Sequence, residues 1–548
     1  MIFAWRWLGL PCAVVQVLAG DPRTQDSSAA RVDLSRWLAR SWPPITLAQP
    51  ARVNDSLWRL SRRFYAGRAQ LSAWSLAEGR GRLDDLLDRL QRAQQQGLDS
   101  ADYGLDRLRS LAARAGGGDS ETQGLLDILA TATWLHYASD LAFGRVIPRV
   151  VDTLWTASPR TVDLLGALAA ALDSNRVGAA LDELAPPQTS VVRLRAALAW
   201  YRAIAARGGW PQIPDGPPFQ LGAEGPEVAL LRQRLEITGD VAPGGQGMLF
   251  DSALDVAVRR AQERHGLEPD GIVGGATRRA LNVPVQDRIR QLELSLERWR
   301  WLPRDLGQRY LMVNSAGFSL EVVDSGRVIL SSRIVAGRAS WPTPIFSSRL
   351  TEITFNPRWN IPRSIAVKEI LPKLRRDPGY LTRMGIHLER VDEPGTELVC
   401  NDVPWDSVSV SGFVYRLWQE PGPENPLGRI RFTIPGRFGV ALHDTQEPNL
   451  FRLLVRASSH GCVRVQEAER LAAYLLRDLP GWTEDSLRAA TEFPIERYVA
   501  VPDPIPAYLT YWTAWVSNGQ VSFRPDLYRW DAELGRALRR RALAGTRK

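Results

Sequence analysis

HDTQEPNLFRLLVRASSHGCVRVQEAERLAAYLL, residues 443–476, is the stretch on which the reading of the chain turns. His443 stands 19 positions before Cys462, and Ser459, His460, Gly461 and Arg464 flank the cysteine. After it, Val465, Ala468, Leu471, Ala472, Leu475 and Leu476 recur at helical spacing, so Cys462 is expected in the loop or first turn just before a helix. Upstream, Val440 and Leu442 alternate with Ala441 and His443, which predicts a short strand ending near His443 with the imidazole turned from the apolar side. A helix start offers unpaired N–H groups and a positive dipole end, both favouring a thiolate. A histidine within hydrogen-bond reach can take the thiol proton and later return one to a leaving amine. Neighbouring amides, with Gly461 permitting a tight backbone, can hold the oxyanion formed when sulfur attacks an amide carbonyl. These parts add up to acyl transfer through a thioester.

The same residues admit other readings. His460 is a second candidate base, but it lies too close in sequence to Cys462 for a relaxed side-chain pairing, whereas His443 approaches from a neighbouring strand. A buried structural cysteine beside two chance histidines leaves the coincidence of small residues, cysteine and arginine unexplained. His443, Asp444, His460 and Cys462 carry ligand atoms, yet the remaining histidines lack ligand spacing and zinc would consume the nucleophile. No metal is expected, and without a phosphate-binding glycine loop no nucleotide cofactor either.

Working outward, Phe318, Leu320 and Val322 alternate before Asp324-Ser325-Gly326, and Val328 and Leu330 continue after it, a hairpin signature. Ile430, Phe432 and Ile434 alternate again. Between these strand groups, residues of about 364–428 form an insertion, helical at first and ending among Pro421, Pro423 and Pro426. It reads either as a peripheral insertion or as a lid over the site. Towards the N-terminus, residues 227–285 give three short helices joined by glycine-bearing turns, with Ala253, Leu254, Ala257, Val258 and Ala261 as one apolar stripe. A Pro/Gly-rich break at 208–226 separates this unit from a helical region of about 34–215. His136, beside Trp134 and Tyr137 in that region, reads as structural.

At 548 residues, with 45% hydrophobic and 24% charged residues, the chain has material for several domains and is neither disordered nor fibrous. Lys+Arg exceed Asp+Glu by 69 − 60 = 9, which allows anionic partners without requiring nucleic acid, and no zinc-finger spacing points to one. Residues 1–20 combine Arg6, an apolar middle and Val17-Leu18-Ala19, the pattern of a secretory signal, the alternative being a short N-terminal anchor. Cleavage after Ala19 would remove Cys12 and leave Cys400 and Cys462, whose pairing is possible on parity but unneeded in a chain of this size. The basic run RALRRRALAGTRK at the C-terminus reads as a solvated helix end.

The 227–285 unit resembles the bacterial three-helix peptidoglycan-binding domain. Leu231, Leu235, Phe250, Gln262, Gly266, Leu267, Asp270, Gly271, Gly274, Thr277 and Leu281 stand in its L-R-x-R-L start, Q-x-x-H-G-L middle and D-G-x-x-G-x-x-T ending. His265 there is a helix-end cap or a ligand contact. The 443–476 stretch resembles the catalytic signature of the bacterial L,D-transpeptidases, the YkuD-type domain, in which a histidine precedes [Ser/Thr]-x-G-C-x-R by a loop. Segments 343–381, 421–432 and 504–528 extend the likeness to the long, multi-domain subfamily.

The resemblance implies a multi-domain α+β protein. Its parts would be a helical scaffold (34–215), a three-helix binding domain (225–285), a mainly β catalytic domain (306–480) with a helical lid insertion, and a C-terminal extension (481–548) packed on the catalytic or scaffold domain. It implies Cys462 as nucleophile, His443 as general base, Gly461 and Cys462 as oxyanion amides, and His460 in a supporting role. Arg464 would order the loop or meet a substrate carboxylate. The carbonyl near the position after the histidine is often the third catalytic element, so the Asp444 side chain either replaces that carbonyl or accompanies it. It further implies peptidoglycan stem peptides and glycan as partners, conceivably other wall-synthesis enzymes, no cofactor, and a periplasmic or inner-membrane-anchored location with peripheral association to the envelope.

Overall fold

The computed structural model describes residues 32–543 apart from 48–50, 75–76, 117, 152–154, 156–159, 245–246 and 493–494. The signal-like residues 1–20, Cys12 and the last five residues of the basic run lie outside the described residues. The β-branched and aromatic alternation from Arg309 onward forms β1 (Arg309–Asn314), β2 (Ser319–Asp324), β3 (Arg327–Gly337) and β4 (Phe346–Phe355). There follow β5 (Trp359–Ile361), β6 (Ile386–Arg390), β7 (Tyr415–Gln419), β8 (Ile430–Thr433) and β9 (Leu442–His443). Last come β10 (Ala457–Ser459), β11 (Val463–Val465), β12 (Arg497–Thr510), β13 (Ala514–Ser517) and β14 (Gln520–Phe523).

Nine of these strands form one sheet in the order β10-β3-β11-β9-β8-β4-β12-β1-β2, and β2 also pairs with β3, so the ladder returns on itself. The early part of β3 pairs with β2 and its last residues with β11 and β10. The inner face of this ring carries Leu311, Leu350, Ile353, Phe432, Leu442, Val463 and Val465, all buried together. The helix Ala468–Leu476 closes one end with Ala468, Leu471, Ala472 and Leu475, the periodic residues of the opening stretch.

Residues 481–548, expected as a C-terminal extension packed on the catalytic or scaffold domain, contribute a strand to the large sheet itself. β12 runs through the middle of the sheet, parallel to β1 and antiparallel to β4. Pro502, Pro504 and Pro506 argue against a central strand, since proline donates no ladder hydrogen bond. The strand accommodates Pro502 and Pro504 with a register shift between Ala500 and Ile505, while Pro506 stays paired opposite Arg349. The insertion also differs from the helical lid expected. After a short helical run its strands β6 and β7 join the preceding β5 in a second, three-stranded sheet, β5-β7-β6, and it has a core of its own from Ile370, Leu374, Leu388, Trp405 and Leu417.

In the N-terminal region the long helix Ser120–Phe143 starts at Asp119, whose carboxylate accepts from the amides of Glu121 and Thr122. It stops at Gly144, where a Cβ would fall 2.6 Å from Trp301 Nε1 and 2.7 Å from Glu297 Oε1. Glu297, fully buried, meets the Arg145 amide and Arg300 there, tying this region to the helix Val285–Arg300. That helix shares a core with the helix Thr189–Ala206 and with Trp512, Phe523 and Trp530 of the C-terminal part. His136 is buried beside Tyr103 and Asp140 within the helical region. His265 ends the helix Ser252–Arg264, its Nδ1 2.7 Å from the Ala261 carbonyl and its ring stacked on Phe523. Buried in this way, it acts as a helix-end cap. No helix among the described residues is long and apolar enough to cross a membrane.

Candidate active site

The short parallel pairing of β9 with β11 sets Leu442 against Val463 and His443 against Arg464. Because strand side chains alternate, Leu442 and Val463 enter the core while His443, Arg464 and, two residues earlier, Cys462 share the outer face. β8 adds Arg431 opposite His443 on that face. Cys462 thus sits one strand across and two residues along from the imidazole, a diagonal that long side chains span. Cys462 is half-buried.

The expected helix start at Cys462 is not what forms. Val463–Val465 is a strand, and the following helix begins only at Ala468, too far for a dipole effective over about one turn. Two β-branched valines flanking Arg464, with ladders available on both sides, favour the extended form here. Burial pushes the Cys462 thiol up from its ordinary value, and the Ala441 backbone, Arg431 and Arg464 only partly offset this. His443 is buried, and burial, aided by Arg464 and Arg431, brings its imidazole down to about 4 against hydrogen bonding from main-chain carbonyls. The resting pair is consequently a neutral thiol beside a neutral imidazole, both facing the same two guanidinium groups. The neutral ring is the form able to accept a proton.

His443 Nδ1 lies 2.6 Å from the Asp444 carbonyl, which fixes Nδ1 as the donor and leaves the lone pair on Nε2. The Asp444 carboxylate does something else: its Oδ2 accepts from the Arg429 amide at 2.9 Å. The main chain, not the side chain, therefore touches the imidazole, and the carboxylate braces the turn beneath it. Gly428 makes room, since a Cβ there would lie 2.5 Å from Asp444 Oδ2.

The cysteine loop closes through Ser459, whose hydroxyl donates to the Cys462 carbonyl at 2.5 Å and accepts from the Gly461 amide at 3.1 Å. Gly461 has φ +108°, and this conformation, rather than space, demands glycine, since the nearest atom to a Cβ would be 3.6 Å away. Its N–H is held internally here and has to leave Ser459 to serve an oxyanion. Arg464 pairs with Glu447 at 2.5 Å, tying down the loop that follows Asp444. His460 turns from Cys462 to the insertion: its Nε2 is 2.6 Å from Glu369 Oε1, and its ring stands edge-on to Trp341. Arg338 joins the same carboxylate, and Lys368 sits over Trp341. Burial raises the Glu369 carboxyl, but the hydrogen bonds from His460 and Arg338 outweigh it and bring it down.

Cys400 and Cys462 are both free thiols. Cys400 is buried in the insertion and points to the Pro378 carbonyl. Arg431, Arg338, Trp341, Glu369 and Glu447 were not singled out from sequence. Arg431 alone had a signal, as the polar residue between Ile430 and Phe432. The others are distant in the chain and meet only in the fold.

The site is thus a nearly closed sheet with a half-buried cysteine and a buried histidine on one outer face, beside an insertion. Residues 308–486 match the family described as "L,D-transpeptidase catalytic domain", 224–281 that described as "Putative peptidoglycan binding domain", and 59–198 that described as "Scaffold domain". The chain thus carries a YkuD-type L,D-transpeptidase catalytic domain, a peptidoglycan-binding domain and a scaffold domain. It is similar to a "Putative L,D-transpeptidase" of Haemophilus influenzae, 34% identical over 229 residues, or 41% of this chain. The match spans 45% of that relative, somewhat under half its length. Among solved structures, an L,D-transpeptidase from Xylanimonas cellulosilytica is 18% identical, covering 54% of this chain and all of its own, with a TM-score of 0.16. Another from Stackebrandtia nassauensis is 15% identical, covering 48% of this chain and 90% of its own, with a TM-score of 0.20.

Proposed function

We propose that the protein is a peptidoglycan L,D-transpeptidase that forms 3→3 crosslinks through a thioester on Cys462. The observation that carries this reading is the shared outer face of β9 and β11, which puts the thiol of half-buried Cys462 beside a neutral imidazole whose tautomer the Asp444 carbonyl sets. His443 Nε2 takes the thiol proton as Sγ attacks the carbonyl carbon of the third residue of a tetrapeptide stem. The carbonyl oxygen becomes an oxyanion met by the Cys462 amide and, once freed from Ser459, the Gly461 amide. The C–N bond to the terminal D-alanine then breaks, and the imidazolium gives its proton to that leaving amine. A side-chain amine of a second stem attacks the thioester, a proton passes through His443, and the thiol is restored. Arg464 keeps the 444–456 loop in place, and His460 supports the cysteine loop from the insertion side.

The 224–281 module would hold glycan or stem peptide, the signal-like sequence of residues 1–20 supports a periplasmic or inner-membrane-anchored location, and wall-synthesis enzymes would be conceivable partners. Incubation with tetrapeptide-bearing muropeptides followed by mass spectrometry tests the reading. D-alanine release with a crosslinked dimer supports it. Release without a dimer makes the protein an L,D-carboxypeptidase, transfer to a lipoprotein lysine makes it an anchoring enzyme, and binding without release leaves a wall-binding scaffold.

A further inference from the structure

A cleft of about 490 Å³ lies where the helix Ser252–Arg264 faces β2, β3 and the β13–β14 hairpin. It is separate from the cysteine loop, yet Gln466 on its rim occupies the same outer face of the sheet as Cys462, four residues further along. At strand rise that is about 13 Å. The cleft's volume falls within the range of ligand sites, roughly 300–1,000 Å³.

Its wall is unusual in charge. Arg333, Arg456 and Arg524 all line it, and among the described residues none of the three has a carboxylate within ion-pair distance. Their donors go to main-chain carbonyls instead: Arg333 to Phe451, Arg456 to Ile334, Leu453 and Phe318, and Arg524 to Arg264 and Phe523. Burial, then the neighbouring Arg333, brings Arg456 down to about 10; burial, then Arg456, does the same for Arg524. Arg456 faces both Arg333 and Arg524 as a like charge, and Glu263 partly offsets this at Arg524. Arg264, also in the wall, is paired with Asp240, while Glu263, Glu321 and Glu467 are the acids present. Trp515 lies under the Arg524 guanidinium at 4.9 Å and supplies an apolar floor. Three guanidinium groups on one wall, Arg456 and Arg524 half-buried and Arg333 exposed, that donate to neutral carbonyls are electrostatically open to an anion, and the planar fork of arginine matches a carboxylate.

We propose that this cleft is a second binding site, taking the free carboxylates of peptidoglycan stem peptides on Arg333, Arg456 and Arg524. The inference rests on the function proposed above, because one wall of the cleft belongs to the peptidoglycan-binding module and the other to the catalytic sheet. A single polymer is the ligand that both would meet.

The test is hydrogen–deuterium exchange on the full chain carrying Cys462→Ala, with a purified disaccharide-tetrapeptide as probe. Protection is expected in residues 317–333 and 515–524. The same probe with its carboxyls amidated should lose at least about tenfold in affinity, as should the R333Q/R456Q/R524Q chain, with recovery in the corresponding lysine variants. The amidated probe keeps the test valid if the triple variant does not fold. Protection confined to the Cys462 region, equal binding of the amidated probe, or equal protection by inorganic phosphate at the same concentration overturns the proposal. The two readings fail separately. Wild-type protein that acylates Cys462 without protecting the cleft keeps the transpeptidase and removes this site; protection without acylation does the reverse.

Discussion

The loop bearing Cys462 is held on one side by the sheet and on the other by the insertion, and the two grips differ in kind. On the sheet side the contacts are ladder hydrogen bonds and the His443 link to the main chain of the adjacent Asp444, the latter part-buried. On the insertion side they are side-chain ion pairs of His460 and Arg338 with Glu369, each side chain about a third exposed. Buried main-chain contacts are costly to break, whereas exposed ion pairs contribute only about 0–1 kcal/mol. The difference teaches which part is rigid chemistry and which part is able to release. Under the proposed function, the sheet side would position the reacting groups and the insertion side would act as a latch over them.

The largest expected effect tests that division directly. His443→Ala should abolish thioester formation, measured by intact-protein mass spectrometry with a tetrapeptide donor, while His460→Ala should only reduce it. Equal, complete loss in two folded variants would overturn the ranking.

Next comes the frame beneath both grips. Gly337 ends β3 opposite Ser459, and a Cβ there would lie 2.2 Å from the Trp341 carbonyl and 2.7 Å from the Thr343 amide. Gly337→Ala should therefore destabilise the protein by about 1–3 kcal/mol, read as a lower denaturation midpoint, because main chain has to move on both sides. An unchanged midpoint would mean that the 338–343 turn yields freely.

The charge state of the pair gives the third expectation. Since burial raises the Cys462 thiol and lowers His443 to about 4, iodoacetamide alkylation of Cys462 should still climb at pH 9 and show no plateau between pH 5 and 7. A plateau in that range would reveal a preformed thiolate–imidazolium pair. The same imidazole affects stability with a definite sign. As pH falls from 6.5 to about 4 the unfolded chain binds the proton and the native ring does not, so stability is lost across that window and His443→Gln should flatten it.

The smallest effect belongs to the latch. Glu369→Gln should change stability by less than about 1 kcal/mol while raising the alkylation rate of Cys462 a few-fold, as the insertion loses its hold on His460. A slower rate would show the insertion organising the cysteine loop rather than covering it.

Much of the site was legible because its residues are close in sequence and obey strand periodicity. Alternation through Val440 and Leu442 places His443 on the outer face, and the Ser459–Arg464 run marks a tight loop around a reactive residue. The helix expected at Cys462 failed for a physical reason. The helical spacing that begins with Val465 is real, but the ladders of β3 and β9 claim Val463–Val465 first, and tertiary pairing outweighs a local pattern. β12 was hidden by its prolines, which forbid a regular central strand, yet Pro502 and Pro504 are absorbed at a register shift. Glu369 gave no signal, since it is 91 residues from His460 and nothing local distinguishes it.

From sequence alone came the candidate site residues His443 and Cys462, the helical and β regions, and the three-helix unit, since each depends on short-range periodicity and on side-chain chemistry that spacing reveals. The charge state of the thiol, the atom of Asp444 that touches the imidazole, the strand that crosses the sheet near the C-terminus and the cation-lined cleft were settled only by folding. Burial and long-range pairing determine electrostatics, and neither exists until distant segments meet.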